Sequence, residues 1–516
     1  MHTVQLALTT SKEERSEINR RFHALSHIHN VLVSHARKLL VCLEHDMEYQ
    51  GWLASYVVLK DKEADTGKGL SKTEKELKKV LSTSMDTRRK EIGLSKAGLE
   101  SYIKVCGRRY SKLLSSQQVQ AEADRVWESV KDCLFGDGKE VHFKPFGEFH
   151  TIGGKSNGNG AKFLEVENGD GTKTWAVSWT GLTLECRLPK KLADREYILE
   201  SLGHKVKYCM VKRRQFNSGW KYYAVVVLDG NAPMKREVGN GDGGIDPGVS
   251  TMAVMTDDAC FLEELAPKAA EYERKIAEVQ RRMDASKRAT NPGRFNADGT
   301  YKKGSRGKWK LTDHYMHLKR QLRTLHRKKS EYTLHSHREA CNRILKAAKH
   351  FFVEKMDYAA LKKRSKKTER QESASAVEQK DGSLKLIHKY KKKKRFGHSI
   401  TSRSPSRFLT ELRTKAELYG GSYHEVNTKT YKASQYDHTT GTCTKIPLSQ
   451  RSKEVGGHTV QRDLYSAFLI KYPDLNLEHP DRDKCAYEFQ KFLRLHGELI
   501  AGMKENKLSM KQCFGF

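Results

Sequence analysis

The segment that decides the fold is GGIDPGVSTMAVMTDD, which runs from residue 243 to residue 258. It places an aspartate, Asp246, after a small apolar lead-in and before a Pro-Gly turn. The STMAVM run that follows is apolar, and we predict a β-strand over residues 244–256. A carboxylate buried in such a strand is costly unless another group compensates its charge. The segment therefore predicts an acidic group with a partner elsewhere in the chain.

Two more acidic residues interrupt apolar elements further along the chain. Glu354 lies within FFVEKMDY, which predicts a short strand over residues 351–356. Asp463 opens the helix that VQRDLYSAFLIKY predicts. A pair of divalent cations would compensate all three acids, because Mg²⁺ prefers hard oxygen ligands and retains substrate phosphates in its coordination sphere. Two such ions would stabilise the attacking and leaving oxygens of a phosphodiester cleavage.

Each acid also has a structural alternative. An aspartate before Pro-Gly is commonly a turn residue, and this is the structural alternative for Asp246. Glu354 precedes a lysine and can be half-exposed and paired with a base. Asp463 can cap the helix that follows it. The order of the three elements, rather than any single residue, favours the metal hypothesis.

The composition indicates a polyanionic partner. The 516 residues include 96 Lys and Arg against 63 Asp and Glu, which gives a net charge of +33. Nucleic acid is the first candidate, since each neutralised phosphate releases counterions, and a membrane surface is the rival. No apolar run reaches the length of a spanning helix, and the first residues lack the pattern of a signal peptide. The ten cysteines form no C-x-x-C pair, which predicts a reducing compartment and neither a disulfide framework nor a four-cysteine zinc site.

The pattern along the chain predicts an α+β multidomain protein. A helical block is inserted between an opening strand and a β-rich segment that reads as a small barrel or sandwich. A long helical stretch, from about 262 to 346, contains a basic and flexible tip. The predicted boundaries are 1–10 with 134–238 for the β-rich domain, 11–133 for the helical block, 239–470 for the acid-bearing domain with basic insertions at about 285–310 and 361–403, and 471–516 for a helical tail.

Nucleic-acid contacts are not assigned to single residues. The lysine-rich insertion, around Lys362, Lys391 and Arg395, is either a solvated disordered segment or one that follows a nucleic-acid backbone, and the two are compatible. In the β-rich part, aromatic residues lie among basic ones and are candidates to stack on bases. The alternative is that they belong to the core or to a strand face. These aromatic residues are Trp220, Tyr222 and Tyr223.

The order strand Asp, central-strand Glu and helix Asp resembles the RuvC nuclease domain of the TnpB family. These proteins are transposon-encoded RNA-guided DNA endonucleases, related to the compact type V CRISPR effectors. GIDPGVSTMAVMTDD looks like the first motif, FFVEKMDY like the second and QRDLYSAFLI like the third. The intervening stretch SRFLTELRTKAELYGGSYHEVNTKTYKASQ matches the family pattern at Phe408, Leu412, Lys415, Ala416, Gly420, Thr430, Ser434 and Gln435.

The resemblance implies an RNase H-like (RuvC) α/β nuclease domain, an N-terminal β-barrel of the wedge type and a helical recognition insertion. It implies that Asp246, Glu354 and Asp463 are the catalytic and metal-binding residues, with two Mg²⁺ ions, or Mn²⁺ in their place. The partners are a guide RNA and a double-stranded DNA target cut beside a short flanking motif, in a prokaryotic cytoplasm at the nucleoid. The setting, a transposon or a CRISPR array, and the oligomeric state are left open.

Two alternatives remain. One is an RNA-guided DNA-binding regulator of transcription that does not cut, although such relatives usually lose one or more acids. The other is a transposase on an RNase H-like core, whose expected acid order is Asp-Asp-Glu rather than the Asp-Glu-Asp found here.

The chain departs from the family between Gln435 and the third motif, where a four-cysteine zinc ribbon is usual. The expected cysteine places fall on Asp437, Thr440, Lys453 and Gly456. Cys443, His438 and His458 nearby are a weak zinc signal. We therefore expect a degenerate, metal-free loop at 436–458 and no zinc. The usual Asp-Arg-Asp with a following Asn is also changed, to Gln461-Arg462-Asp463 with Tyr465.

Overall fold

The computed structural model describes most of the chain and divides it into two compact units, Met1–Pro233 and Met234–Phe516. The residues that it does not describe are 66–69, 168–172, 217, 235, 297–298, 303, 305–306, 363–373, 379–383, 388–395, 448–449 and 507–516. The chain is a mixed α/β protein, which agrees with the predicted class at that level.

The first unit combines a helical block with an antiparallel sheet. Helices occupy the segment that the sequence predicts to be helical, and three of them begin with a capping box, as at Ser11 and Glu14. Its elements are β1 (His2–Leu8), α1 (Lys12–Glu44), α2 (Met47–Asp65), α3 (Lys72–Glu91), α4 (Lys96–Arg108), α5 (Ser116–Phe135), β2 (Thr151–Gly153), β3 (Ala161–Glu167), β4 (Lys173–Trp179), β5 (Leu182–Arg187), α6 (Leu192–Leu202), β6 (Val206–Phe216) and β7 (Gly219–Leu228).

The sheet of this unit has seven strands in the order β2-β6-β7-β1-β5-β4-β3. The opening strand β1 pairs with β7 on one side and β5 on the other, which confirms that it joins the β-rich segment. Every ladder is antiparallel, and among the described residues no ladder joins β2 to β3, so the predicted barrel closure is not established.

The aromatic residues proposed for base stacking differ in their availability. Tyr222 is 2% exposed and its hydroxyl donates to Asn19 Oδ1 over 3.2 Å. Trp220 lies 4.3 Å from the guanidinium of the buried Arg213. Tyr222 is therefore a core residue, and Trp220 packs on a cation of the same unit. Tyr223 is partly exposed and pairs with Arg214 in the same manner.

The second unit contains a mixed sheet and its covering helices. Its elements are β8 (Gly241–Pro247), β9 (Thr251–Thr256), β10 (Cys260–Glu264), α7 (Ala269–Thr290), α8 (Asp313–Ala347), β11 (Ala348–Glu354), α9 (Tyr358–Lys362), β12 (Ser375–Glu378), β13 (Leu384–Ile387), α10 (Gly397–Arg403), α11 (Pro405–Leu418), β14 (Ser422–Val426), α12 (Thr428–Tyr431), β15 (Tyr436–Asp437), β16 (Thr442–Cys443), β17 (Ser452–Val455), β18 (His458–Gln461), α13 (Arg462–Lys471) and α14 (Arg482–Glu505).

Five strands form its main sheet, in the order β10-β9-β8-β11-β14. Strands β8, β9 and β10 are joined as antiparallel neighbours, whereas β11 and β14 run parallel to β8. The parallel pairs require crossovers, and α8 and α11 supply helices in those connections. Helix α13 packs on β8 and β9. The centre of the sheet is thus β8, the strand that carries Asp246.

Several predicted boundaries are wrong. The predicted strand over 244–256 is two strands, because Pro247 and Gly248 begin a turn that folds β9 back onto β8. The helical stretch predicted from 262 begins instead with β10 and becomes helical at Ala269. The predicted strand over 351–356 ends at Glu354 and begins earlier, at Ala348. Within the segment predicted as a helical tail, 471–516, the structure has helix α14.

The predicted loop at 436–458 is also wrong as a description of the backbone. It contains the hairpin of β15 and β16, and β17 pairs with β18 in a second hairpin that ends at Gln461. Within the predicted insertion at 361–403, β12 and β13 form another hairpin and α10 follows it. In this insertion, Lys362 ends α9, while Lys391 and Arg395 lie outside the described residues.

No helix in the described part of the chain has the length and apolarity needed to cross a membrane. The nine described cysteines are free thiols.

Candidate active site

Two of the predicted acids lie side by side on neighbouring strands. Val353 of β11 pairs with Ile245 of β8 in parallel register, so the next residues along, Glu354 and Asp246, are also neighbours. Each carboxyl group shifts the pKa of the other. The pair therefore behaves as a single titrating unit.

The pKa values of both acids are raised. Burial raises the pKa of Asp246 well above its usual range, and the negative charges of Glu354 and Asp463 raise it further. Burial raises the pKa of Glu354 to about 6, and the interaction with Asp246 acts in the opposite direction. An acidic pair that resists full ionisation indicates a place where positive charge would be stabilising.

A glycine brings the third acid to this pair. At Gly244 an added Cβ would lie 2.1 Å from the carbonyl oxygen of Ala467 and 2.4 Å from the backbone nitrogen of Lys471. Helix α13 therefore rests directly on the backbone of β8. Asp463 lies one helical turn before Ala467, and Asp246 lies two residues after Gly244 on the same face of the strand. The contact at the glycine positions the start of α13 beside Asp246.

The other end of α13 is also fixed. The side chain of Lys471 is 1% exposed, and its Nζ lies 2.6 Å from Asp257 Oδ1, in the turn between β9 and β10. It also donates to the hydroxyl of Tyr472 over 2.7 Å. The ammonium of this pair is buried and the carboxylate is partly exposed. The pair holds the register of α13 against the sheet, since a slip would leave a buried ammonium without its partner.

The carboxylate of Asp463 is bound by two arginines. Arg462 donates to Oδ1 from Nε over 3.1 Å and from Nη2 over 2.9 Å. Arg451 donates to Oδ2 from Nη1 over 3.1 Å. Gln461 caps α13 through the backbone nitrogen of Leu464 and approaches the same Oδ2. The predicted capping role thus belongs to Gln461 rather than to Asp463.

The two arginines differ in how they are held. Arg462 is buried, and its Nη1 also donates to the carbonyl oxygens of Gln450 and Pro447. The side chain of Arg451 is 29% exposed and, within the described residues, bonds to Asp463 alone. Arg462 is therefore part of the framework, whereas Arg451 is free to change partner.

All three acids line one cleft of about 660 Å³. The Pro247–Gly248 turn forms part of its wall and is fixed by the hydroxyl of Tyr358, which donates to Pro247 O over 3.2 Å. The basic side chains of Lys445, Arg451 and Arg462 line the same cleft. The sequence did not single out Lys445 and Arg451. They lie in a segment where the family pattern is absent, and each is one of 96 lysine and arginine residues.

The residues fit a hard divalent cation. Asp246 and Glu354 offer adjacent carboxylate oxygens whose mutual repulsion a cation would relieve. Within the described residues, no group of three or more Asp, Glu, His or Cys is arranged as a complete metal site. The oxygens of Asp463, the third acid, accept hydrogen bonds from guanidinium groups. A complete three-acid site would require Arg451 to release Oδ2.

The hairpins at 436–461 are held together in part by a side chain at one of the places where a cysteine was expected. Lys453 is 8% exposed, and its Nζ donates to the carbonyl oxygens of Tyr436, over 2.7 Å, and Gln435, over 3.3 Å. His438 is buried and its Nδ1 lies 2.7 Å from the hydroxyl of Tyr465. One ammonium therefore links β17 to the start of the other hairpin.

Of the comparisons with known proteins, the one with solved structures found similar chains. No protein-family model matches the chain, and no curated protein matches it. A cryo-EM structure of the Cas12f1–sgRNA–target DNA complex is similar at a TM-score of 0.44 and 11% identity, over 92% of this chain and 98% of that chain. A cryo-EM structure of the CRISPR–Cas12f ternary complex is similar at a TM-score of 0.28 and 13% identity, over 90% of this chain and 82% of that chain. Scores at this level do not by themselves establish a common fold.

Proposed function

We propose that the chain is an RNA-guided DNA endonuclease of the TnpB type. It would hydrolyse a phosphodiester bond of a DNA target that a guide RNA selects, beside a short flanking motif. The observation that carries the proposal is the cleft in which Asp246, Glu354 and Asp463 converge from two strands and a helix. Three separate elements, more than 200 residues apart at the extremes (463 − 246 = 217), deliver acids to one place.

The topology of the second unit supports a RuvC-type, RNase H-like domain. Numbered from β8, its sheet has the order 3-2-1-4-5, with the second strand antiparallel to the rest. The first acid lies on the central strand and the second on the parallel neighbour. The third opens a helix that packs across the central strand, which is the arrangement that the TnpB resemblance implies.

Asp246, Glu354 and Asp463 would hold two divalent ions, Mg²⁺ or Mn²⁺. When bound, such ions activate water and stabilise the charge that develops on the phosphate. The acids themselves bind and orient, and no side-chain nucleophile is required, since water is the attacking group. Lys445 and Arg451 line the cleft with positive charge and would draw the DNA backbone toward the acids.

The net charge of +33 supports the guide RNA and double-stranded DNA as partners. In such complexes base pairing reads the sequence, and the protein reads the backbone and shape. The setting that we propose is the prokaryotic nucleoid, either with a transposon or with a CRISPR array that has recruited the protein.

The test begins with protein purified together with its co-expressed RNA, which is then sequenced. A plasmid library that carries the matching target beside randomised flanks is incubated with Mg²⁺ or with EDTA, for the wild type and for Asp246→Ala. We expect metal-dependent cuts that disappear in the variant, next to one enriched flank. The genomic origin of the RNA separates the transposon setting from the CRISPR setting. Absence of any specific RNA would contradict the guided part of the proposal.

A second candidate is an RNA-guided DNA-binding regulator that does not cut. One observation favours it, namely that Arg451 and Arg462 together occupy both oxygens of Asp463. RNA-directed binding of the target with no cutting at any Mg²⁺ or Mn²⁺ concentration would select this candidate over the nuclease.

A further inference from the structure

The loop that joins α7 to α8 forms a tip that hydrogen bonds hold together. This tip lies outside the cleft of the three acids. Asn291 is 8% exposed and ties the two sides of the tip together. Its Nδ2 donates to the carbonyl oxygens of Lys287, over 2.9 Å, and Lys310, over 2.8 Å, and its Oδ1 accepts from the backbone nitrogen of Lys310. The described residues of the tip are therefore fixed by hydrogen bonds, which differs from the flexible tip predicted from the sequence.

Three aromatic rings form the centre of the tip. The ring centroids of Phe295, Tyr301 and Trp309 lie 5.5 to 6.2 Å apart. A β-bridge joins Phe295 to Tyr301. Tyr301 is nevertheless 45% exposed, so one of the rings presents a substantial surface to solvent.

Cationic side chains surround these rings. Lys287 Nζ lies 3.7 Å from the centroid of Trp309, and the guanidinium carbon of Arg294 lies 4.7 Å from it. The guanidinium carbon of Arg288 lies 5.9 Å from the centroid of Phe295. Contacts of this kind orient the charged groups without neutralising them.

The roles of these cations differ. Arg294 is used within the tip, because its Nη1 and Nη2 donate to the carbonyl oxygens of Gly307 and Lys308, each over 3.0 Å. Lys287 and Arg288 form no ion pair with any carboxylate in the described part of the chain. They lie on adjacent positions of α7 and line, with Tyr301, a cavity of about 420 Å³.

The charge of the segment indicates the ligand. Residues 287–310 contain eight Lys and Arg and one acidic residue, Asp298. One further acid, Asp284, lines the cavity one helical turn before Lys287 and reduces the positive potential at that end. A concave surface with oriented cations and an exposed aromatic ring matches the chemistry of a nucleic-acid strand, whose phosphates and bases alternate.

We propose that the tip is a second nucleic-acid site, which binds the phosphodiester backbone of a single strand. Lys287 and Arg288 contact phosphates, and Tyr301 stacks on a base. The site goes beyond the proposed nuclease function, with which it shares the class of ligand alone. Its chemistry suits either RNA or single-stranded DNA, and the two are separated by the arms of the test.

The experiment uses the full chain, freed of bound RNA in high salt and held in EDTA. Binding of fluorescent oligouridylate RNA or oligothymidylate DNA, each of about 20 nucleotides, is followed by anisotropy. The variant is Lys287→Gln with Arg288→Gln. Its matched control is Arg281→Gln with Arg282→Gln, which removes the same charge from exposed positions of the same helix.

We expect the Lys287/Arg288 variant to bind about tenfold more weakly to one of the two oligonucleotides. Its salt slope should fall by about 1 for each phosphate that the protein no longer neutralises. The Arg281/Arg282 control should weaken binding by about twofold or less. Asp284→Asn should tighten binding about twofold, and Tyr301→Ser should weaken it without changing the salt slope. The oligonucleotide whose binding weakens identifies the strand.

Equal weakening in the variant and its control would show diffuse charge attraction and would overturn the proposal, as would unchanged binding in both. Thermal melts of all variants establish that they are folded. Because the assay contains neither metal nor matched target, its outcome does not depend on whether the chain cuts DNA.

Discussion

The carboxylates on the two sides of the acidic cleft have opposite kinds of partner. On the sheet side, Asp246 and Glu354 face each other, and the Arg462 charge only partly offsets the effects that raise the pKa of Asp246. On the helix side, Asp463 is bound by Arg451 and Arg462. The sheet side stores repulsion that a cation would relieve, and the helix side is already neutralised. Under the proposed function, a metal would stabilise the sheet wall, and Asp463 would have to exchange an arginine for the metal at the helix wall.

The largest expected effect is at the sheet wall. Asp246→Asn should reduce the proposed DNA cleavage by at least about a thousandfold, since a proposed metal ligand is removed. The same change should raise the melting temperature of the metal-free protein, because an amide can be buried beside Glu354 without either taking up a proton or burying a charge. The measurements are cleavage rate and calorimetric unfolding in EDTA.

The control for this variant is Asp242→Asn, at an exposed position of the same strand. It should leave both readouts near the wild type. A loss of both stability and cleavage in Asp246→Asn would contradict the stored repulsion and indicate a structural role for that carboxylate.

The next effect concerns the hairpins that adjoin the helix wall. Lys453→Met should lower the free energy of unfolding by about 1–2 kcal/mol, because the partly buried carbonyl oxygen of Tyr436 loses its side-chain donor, whereas that of Gln435 still accepts from the backbone nitrogen of Thr444. Lys429→Met, at an exposed position of α12, is the matched control. Urea unfolding followed by fluorescence measures both. If the hairpins instead required zinc, a chelator would destabilise the wild type and Lys453→Met would have little effect.

A smaller effect is expected in the pH dependence of the free energy of unfolding, to which Glu354 on the sheet side of the cleft contributes. The folded pKa of Glu354, about 6, exceeds its ordinary value of 4.5. Its contribution to stability is therefore fully present below pH 4.5 and is lost as the pH rises through about 6. The metal-free wild type should lose on the order of 1–2 kcal/mol across this window relative to Glu354→Gln. Denaturation series at several pH values in EDTA test this, and identical pH profiles for the two proteins would contradict it.

The smallest effect is expected at the helix wall. Arg451→Ala should tighten Mn²⁺ binding severalfold, since the metal no longer competes with a guanidinium for Asp463 Oδ2, and a partly exposed pair of this kind contributes about 1 kcal/mol. The Mn²⁺ affinity of Arg451→Lys should lie between those of the wild type and Arg451→Ala. Calorimetric titration with Mn²⁺ in the absence of nucleic acid measures the change, and weaker Mn²⁺ binding in Arg451→Ala would show that this residue supports the site rather than competes for it.

The sequence predicted the positions of the acids better than the backbone around them. Asp246, Glu354 and Asp463 interrupt apolar runs, and burial of charge is costly enough to make such interruptions informative. The turn after Asp246 was missed because the residues on both sides of it are apolar, so the pattern reads as one continuous strand. The start of β10 was missed because CFLEE resembles the helix that follows it.

The partners of Asp463 could not be predicted in the same way. Arg462 is its neighbour in sequence, but Arg451 reaches it through the pairing of β17 with β18, a hairpin that replaced an expected loop. Lys453 stands where a cysteine was expected, and its role depends on two carbonyl groups from another hairpin. Contacts of this type depend on tertiary geometry and leave no periodic signal in the sequence.

The packing of α13 against Gly244 has a consequence for synthesis of the chain. Strand β9 is buried at all six of its positions, and α13 is one of the elements that cover it. That helix ends at Lys471, which follows Thr256 by 215 residues (471 − 256). At a ribosomal rate of roughly 5–20 residues per second, the interval is about 10–40 s. During synthesis the apolar β8–β9 hairpin therefore lacks this cover for longer than most domains need to fold.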